Sequence, residues 1–257
     1  MIQELALDEP VRRSLAAAFS ATPRVDCGID AAIEGQMGRI LADDAADPGV
    51  LAIRQGPFWY LAGNADHPAA GDLVAAIPPF SLVMPASTAW TALLERRLGD
   101  RLEAVPRVSF GADSLSVDHL ASLVAGSAHR DQVHAVNADL AARLATMPDA
   151  WFDLEGYASP ADFAARGIGF AVLDGDDIAG AAWSSLACRA AIEVSVFVDE
   201  RHRQRGVATA VAARLVLECL GRSLRPNWDA ANEESCRLAM KLGFVPAGSY
   251  LAHYVRP

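Results

Sequence analysis

The sequence predicts a mixed α/β (α+β) protein whose C-terminal part folds around one central, mostly antiparallel twisted sheet flanked by helices. Three observations favour this class. Asp174-Gly175 lies between two apolar runs and predicts a hairpin, and apolar residues recur at i, i+3 and i+4 from Arg205 to Leu220. A polar turn joins a buried strand directly to that helix. Antiparallel strands followed by alternating helices and strands indicate one sheet with helices packed on it.

The N-terminal part, residues 1–110, is predicted to form a smaller α/β domain. Two apolar runs separated by Gln55-Gly56-Pro57 predict a hairpin. Further elements are expected as a helix at 68–76, a strand at 81–84, a helix at 88–98 and a strand at 105–110. The polar stretch 111–114 predicts a linker, so that residues 111–257 form the second domain. We expect the first domain to cover the acceptor side of an active site, because sites often lie at domain junctions.

The helices and strands of the second domain are predicted from its helix caps and turns. Ser159-Pro160 opens a short helix ending at Arg166, because proline suits the first helical position. Asn232 is expected to cap a later helix, with Gly243 just beyond its end. The other expected elements are strands at 169–173, 178–184, 191–198 and 224–229, a helix at 205–220, and one or two closing strands at 244–255.

Composition excludes several classes of protein. The formal net charge is −10, with 32 acidic and 22 basic residues, which is unusual for a nucleic-acid-binding protein. The four cysteines form no CxxC pair and have no histidine at zinc-ligand spacing, so we expect reduced thiols, no metal and a cytoplasmic protein. The uncharged stretch from Leu73 to Leu94 contains three prolines, which argues against a membrane span and leaves no expected membrane partner.

The turn before the long helix contains three arginines, Arg201, Arg203 and Arg205. Gly206 would let the backbone approach a bound group closely, and the first N–H groups of a helix have no partner within it. Together they predict a site for an anion such as a diphosphate. The alternative is a solvated, charged helix start. Neither a GxxxxGK[ST] nor a GxGxxG pattern is present, so the common nucleotide sites do not fit.

The segment Arg203-Gln-Arg-Gly-Val-Ala208 resembles the R/Q-x-x-G-x-G/A motif of the GNAT N-acetyltransferase superfamily. Asn232-Glu-Glu-Ser-Cys-Arg-Leu-Ala-Met-Lys-Leu-Gly-Phe244 is similar to that family's N-x-x-S…K-L-G-F helix. The resemblance covers the C-terminal part of the chain. Trp228-Asp229, with Asn232 and Ser235, is similar to a two-domain subgroup that includes an acetyltransferase inactivating the amine antibiotic zwittermicin.

The resemblance implies acetyl-CoA as acetyl donor. It implies that backbone amides of the turn and helix start hold the diphosphate, that the end of the preceding strand pairs with the pantetheine arm, and that two residues of the later helix contact the cofactor. For Asn232, helix capping is an equally open interpretation. The expected cofactor-binding residues are Val196, Phe197, Val198, Arg203, Gln204, Arg205, Gly206, Val207, Ala208, Thr209, Asn232 and Ser235.

Transfer to an amine requires a base, because a free amine near pKa 10 is mostly protonated at neutral pH. Glu193 is the candidate, acting through water, since it is the sole carboxylate of its strand and many GNAT enzymes place a glutamate there. Glu193 lies five residues before Val198, whereas some relatives have six. Because neighbouring residues of a strand point to opposite faces, this difference would place Glu193 on the other face of the sheet unless a bulge intervenes. A solvent-facing strand glutamate is the alternative.

The acid is harder to place, because the position of the usual tyrosine is Ala239. Tyr250 is our candidate catalytic acid and Tyr254 a substitute, although each also suits a half-buried strand position. Water could protonate the departing thiolate instead. Trp183 or Trp228 could line the acceptor pocket or simply pack in the core.

The sequence therefore predicts an acetyl-CoA-dependent N-acetyltransferase that transfers acetyl to a primary amine of a small molecule or peptide by direct attack in a ternary complex. A catalytically silent CoA-binding module is the alternative, motivated by Ala239. A third possibility is a two-domain interaction protein.

Overall fold

The computed structural model describes residues 1–6, 8–22, 26–147, 152, 154 and 156–257. The chain divides into two compact units. Unit 1 comprises Met1–Arg107 and Ser249–Pro257, and unit 2 comprises Val108–Gly248. The expectation that the second domain runs to residue 257 needs correction, because the end of the chain belongs to unit 1.

Unit 1 is built on the predicted hairpin, which is confirmed. Its two strands are antiparallel, from the pair of Val50 and Gly63 to the pair of Gln55 and Phe58. The elements of the first part of the chain are β1 (Gln3–Glu4), α1 (Glu9–Leu15), a 3₁₀ turn (Ala16–Phe19), α2 (Gly28–Ile33), β2 (Arg39–Ala42), β3 (Val50–Gln55), β4 (Phe58–Gly63), α3 (Ala70–Ala75), β5 (Leu82–Pro85), α4 (Thr88–Leu98), a 3₁₀ turn (Gly99–Arg101) and β6 (Leu102–Gly111).

The final strand, β12 (Val245–Val255), explains why the chain end belongs to unit 1. Its residues His253 and Tyr254 pair antiparallel with Val83 and Leu82 of β5. Each such pair satisfies backbone N–H and C=O groups that would otherwise be left at the edge of β5. Strands of unit 1 therefore follow the order β1-β2-β3-β4-β5-β12.

Unit 2 carries the predicted central sheet, in the order β6-β11-β10-β9-β8-β7. Neighbouring strands are antiparallel except β10 and β11, which are parallel and joined through α8. The mostly antiparallel α/β class is thus confirmed. Its elements are α5 (Val117–Ala125), a 3₁₀ turn (Arg130–Gln132), β7 (Val133–Ala135), α6 (Ala138–Ala145), α7 (Pro160–Arg166), β8 (Gly169–Asp174), β9 (Asp177–Ala187), β10 (Ala191–Val198), a 3₁₀ turn (Glu200–His202), α8 (Val207–Gly221), β11 (Arg225–Ala230) and α9 (Glu233–Leu242).

Helix α8 is fixed by its apolar face. Val211, Leu215 and Val216 are fully buried in one cluster with Ile192 and Val194 of β10. Burying a leucine or valine side chain contributes about 1.5–3 kcal/mol. This packing holds α8 against the sheet.

The uncharged stretch from Leu73 to Leu94 forms the end of α3, all of β5 and the first part of α4. The prolines at 78, 79 and 85 separate these pieces, as expected. Among the described residues, no helix is both long and apolar enough to cross a membrane.

Candidate cofactor-binding and active site

The turn between β10 and α8 has an unusual backbone. Gly206 is the N-cap residue of α8, with φ +86° and ψ 0°, and Gln204 also has a positive φ of +60°. Within the described part of the chain, no heavy atom would lie within 4 Å of a Cβ added at Gly206. Glycine is therefore favoured here by the left-handed backbone, while the space beside it is open to a bound group.

The first backbone N–H groups of α8 have no hydrogen-bond partner within the helix. No side chain of the described residues caps it, and its first turn contains no acidic residue. The N–H of Ala210 is bonded to the carbonyl of Gly206 at 3.0 Å, so the N–H groups of Val207, Ala208 and Thr209 precede the helical ladder. An anion is the partner that this uncapped positive helix end favours, and the expected diphosphate fits it.

The arginines of the turn differ in their surroundings. Arg201 is bound by Asp199, with Nε to Oδ1 at 3.0 Å, and by Asp177 at 3.4 Å. Its side-chain and backbone hydrogen bonds lower the pKa of Asp199 to about 2. Arg203 is paired with Glu200 at 3.2 Å. Arg205, in contrast, makes no ion pair within the part of the chain that the structure describes.

A further cation lies at the same helix end. Lys241, the sole lysine of the chain, donates from Nζ to Oγ1 of Thr209 at 3.1 Å. Thr209 is in the first turn of α8, whereas Lys241 is in the last turn of α9. The packing of α9 against α8 therefore adds a positive charge beside the N–H groups that precede the helical ladder.

The two parallel strands separate at the same end of the sheet. Pairing between β10 and β11 covers Ala191–Glu193 and Arg225–Asn227, whereas β10 stays paired with β9 as far as Val198. From Trp228 onward β11 pairs with β6, which lies on its other edge. Among the described residues, the stretch of β10 that includes Val196, Phe197 and Val198 thus has no strand partner on the edge opposite β9, which is the geometry that pairing with a pantetheine arm requires.

Glu193 is half-buried on the face of the sheet opposite α8. Ile192 and Val194 pack in the α8 cluster, so the alternation along β10 turns Glu193 the other way. The ladder does shift between Glu193 and Val194, but the extra residue is Ser185 of β9. The bulge considered for β10 is therefore on its neighbour, and it does not change the face on which Glu193 lies.

Several polar residues share that face with Glu193. Asn227 is its pairing partner, Asp229 lies two residues farther along β11, and Trp183 pairs with Ser195. Nδ2 of Asn227 and Nε1 of Trp183 are buried and have no hydrogen-bond partner among the described residues. Buried donors of this kind are costly unless a bound group satisfies them, so this face can bind a polar acceptor.

Asn232 and Ser235 both have structural roles in α9. Oδ1 of Asn232 accepts from the N–H of Ser235 at 2.9 Å and caps the helix, while Oγ of Ser235 accepts from Nε1 of Trp228 at 3.0 Å. Asn232 is exposed, so its amide nitrogen remains available to a ligand. The cofactor contacts expected of both residues stay predictions.

Both candidate acids, Tyr250 and Tyr254, lie in unit 1. Tyr250 is half-buried against an apolar cluster of unit 1, and Tyr254 pairs in the same strand with Leu82. Ala239, in unit 2, is fully buried in the α8 cluster, so that position points into the core. Trp228 is also a core residue, whose ring lies tilted against that of Phe244 with the ring centroids 5.4 Å apart. The role of Tyr250 stays a prediction.

No group of three or more histidine, cysteine or acidic side chains suited to a metal occurs among the residues that the structure describes. Cys219 is buried, and burial raises its thiol pKa to about 12, so it does not supply a reactive thiolate at neutral pH.

His129, Asn227 and Lys241 are site residues that the sequence alone did not indicate. Lys241 could have been found, because it lies within the Asn232–Phe244 motif. His129 could not, because its ring contacts the Arg205 carbonyl across 76 positions of sequence.

Comparison with known proteins shows the family of this chain. A family model described as GNAT acetyltransferase matches residues 24–253. A Bacillus subtilis (strain 168) protein named uncharacterized N-acetyltransferase YdfB is 26% identical over 228 residues, which cover 84% of this chain and 85% of that protein.

Solved structures show the same fold. A GCN5-related N-acetyltransferase-like protein from Streptococcus suis 89/1591 superposes with a TM-score of 0.84 at 28% identity, covering 96% of this chain and 99% of the other. A tandem GNAT protein from the clavulanic acid biosynthesis pathway has a TM-score of 0.59 at 12% identity, covering 98% and 97%. With its uncapped α8 and separated β10 and β11, the chain belongs to the GNAT acetyltransferase family.

Proposed function

We propose that the protein is an acetyl-CoA-dependent N-acetyltransferase that acts on a primary amine of a small molecule or peptide. The observation that carries this proposal is the left-handed, open Gly206 at the uncapped start of α8. Backbone amides from Arg203 to Thr209 would hold the diphosphate, and the free edge of Val196–Val198 would hold the pantetheine arm. When bound there, acetyl-CoA supplies an acetyl group already activated as a thioester.

The residues of unit 2 then have distinct tasks. Glu193, directly or through a water molecule, takes up the proton that the attacking amine must lose. Backbone N–H groups on the free edge of β10 stabilise the negative charge that develops on the acetyl oxygen. A water molecule returns a proton to the leaving sulfur, unless Tyr250 of unit 1 is the donor, as the sequence predicts.

The acceptor is proposed to be a polar or cationic amine. Glu193 and Asp229 place two carboxylates on one face of β10 and β11, and the buried Nδ2 of Asn227 supplies a donor. Carboxylates favour a cation near them, and the chain as a whole carries a charge of −10. The resemblance to a subgroup that includes a zwittermicin acetyltransferase is compatible with such an acceptor.

The test is turnover with a panel of amines. The purified protein is incubated with acetyl-CoA and diamines, aminoglycosides, amino acids or peptides, and thiol release is followed together with the mass of the acetylated product. We expect saturable turnover with at least one class of cationic amine. Tight CoA binding without turnover on any amine would contradict the proposal and favour the silent CoA-binding module.

A further inference from the structure

A cavity of about 240 Å³ lies beside the turn that precedes α8. Two of its lining residues, His202 and Arg205, belong to that turn, and the 3₁₀ turn before β7 supplies another wall. The lining residues are Ala128, His129, Gln132, Val172, Asp174, Ala179, His202 and Arg205. Polar contacts across this cavity contribute to holding the turn in its conformation.

One of these contacts reaches the turn from a distant part of the chain. Nε2 of His129 lies 2.9 Å from the carbonyl oxygen of Arg205. A carbonyl can only accept, so Nε2 carries the proton and donates it. Nδ1 of the same ring then accepts, so the side-chain amide of Gln132, 2.9 Å away, presents its NH2 group to Nδ1 and fixes the orientation of the imidazole.

The bond from His129 meets the backbone between two residues of left-handed conformation. Arg205 lies between Gln204 and Gly206, and both of these residues have positive φ. A left-handed conformation costs about 1–2 kcal/mol at a residue with a side chain, so the turn needs an external contact to keep it.

The same bond also orients a donor. The carbonyl of Arg205 and the N–H of Gly206 belong to one peptide unit, in which they point in opposite directions. By holding the carbonyl, His129 directs the N–H of Gly206 away from itself. Gly206 is the N-cap residue, so this N–H stands first in the row of donors at the start of α8.

We infer that His129 is a positioning residue for the cofactor: it holds the Arg205–Gly206 peptide in the orientation that presents the Gly206 N–H to a diphosphate. This inference rests on the proposed function, because it assumes that a diphosphate binds at α8. It assigns no contact between His129 and the ligand itself.

The test compares His129→Ala with His129→Gln by calorimetric titration with acetyl-CoA. Glutamine can donate from its amide to the same carbonyl, whereas alanine cannot. We expect His129→Ala to weaken binding about five- to tenfold and His129→Gln to restore it to within about twofold. At saturating acetyl-CoA, kcat of both variants should match that of the parent protein.

His67→Ala is the matched control. Nδ1 of His67 accepts from the N–H of Ala69 at 3.3 Å, in the turn before α3 of unit 1, so its removal also deletes an imidazole–backbone bond. We expect unchanged acetyl-CoA affinity in this variant. Thermal unfolding of all variants, measured in parallel, reports any general loss of stability.

The outcomes separate the inference from the proposed function. Equal binding by the parent protein and His129→Ala would overturn the role of His129 and leave the proposed function standing. Equal weakening in the alanine and glutamine variants, or in His67→Ala, would also overturn it, since the donated bond would not be the cause. Absence of binding by the parent protein would overturn both.

Discussion

Glu193 and Asn227 form the last pair that joins β10 to β11. Beyond them the two parallel strands are no longer paired, and β11 is paired on its other edge with β6. The candidate base thus stands at the point where the sheet opens, on the face opposite α8. This arrangement links the groups proposed to hold the cofactor with those proposed to receive the amine.

Glu193→Gln should slow acetyl transfer by about 10²–10⁴-fold, because it removes proton uptake while keeping the shape of the side chain. Its affinity for acetyl-CoA should stay within about twofold of the parent value, since no expected cofactor contact involves this carboxylate. Single-turnover rates and calorimetry measure the two effects separately. A variant that transfers acetyl at the parent rate would exclude Glu193 as the base.

Asn232 has two proposed roles, which two substitutions can separate. Asn232→Ala removes the acceptor that caps α9 and should lower the free energy of unfolding by about 0.5–2 kcal/mol. Asn232→Asp keeps that acceptor but removes the amide donor and adds a negative charge. If the amide contacts the cofactor, Asn232→Asp should keep its stability in urea unfolding and lose acetyl-CoA affinity about tenfold. Unchanged affinity would restrict Asn232 to capping.

Arg205 and Arg203 should contribute unequally to cofactor affinity. Arg203 is engaged by Glu200 at 3.2 Å, whereas Arg205 makes no ion pair within the described ranges. Arg205→Ala should therefore raise the Kd for acetyl-CoA about tenfold or more, and Arg203→Ala only about twofold. Titrations at low and moderate salt compare the two. A larger effect of Arg203→Ala would contradict this order.

His253 should make unit 1 less stable in mild acid. It is buried in β12, and burial lowers its pKa below the ordinary value, an effect partly offset by Glu95. The unfolded chain therefore takes up a proton as pH falls through about 6.5 while the folded protein does not, so stability is lost below that pH.

The measurement for His253 is the urea midpoint between pH 7.5 and pH 5.5. We expect a shallower pH dependence in His253→Gln than in the parent protein. His134→Gln, which changes an exposed histidine of β7, should keep the parent slope. Equal slopes in all three proteins would exclude His253 as the titrating group.

Two helices with side-chain caps were predicted from the sequence with the correct bounds. The expected bounds of α4, 88–98, and α7, 160–166, match the structure, and Ser87 and Ser159 cap these helices by accepting from backbone N–H groups. Helices α5 and α6 carry the same kind of cap, at Ser116 and Asn137, yet were not predicted. Their caps are visible in the sequence, so these two helices could have been predicted as well.

Other features depend on contacts between distant residues and could not be predicted. The pairing of β12 with β5, the extra residue Ser185 opposite Glu193 and the bond from His129 to Arg205 follow no local pattern. The diphosphate turn was predictable because its glycine, its arginines and its helix are adjacent in sequence. The face around Glu193 was not, because Asn227 and Asp229 come from another strand.

The most direct test of the proposed cofactor site is calorimetric titration with acetyl-CoA of the parent protein, Gly206→Ala and Gly175→Ala. Both glycines have positive φ, +86° and +62°, and no heavy atom of the residues that the structure describes would lie within 4 Å of a Cβ added at either. Both substitutions should therefore destabilise the protein similarly, by about 1–2 kcal/mol. We predict micromolar binding to the parent protein and to Gly175→Ala, and a loss of at least about tenfold in Gly206→Ala alone. Equal binding by all three proteins would contradict a diphosphate site at the start of α8.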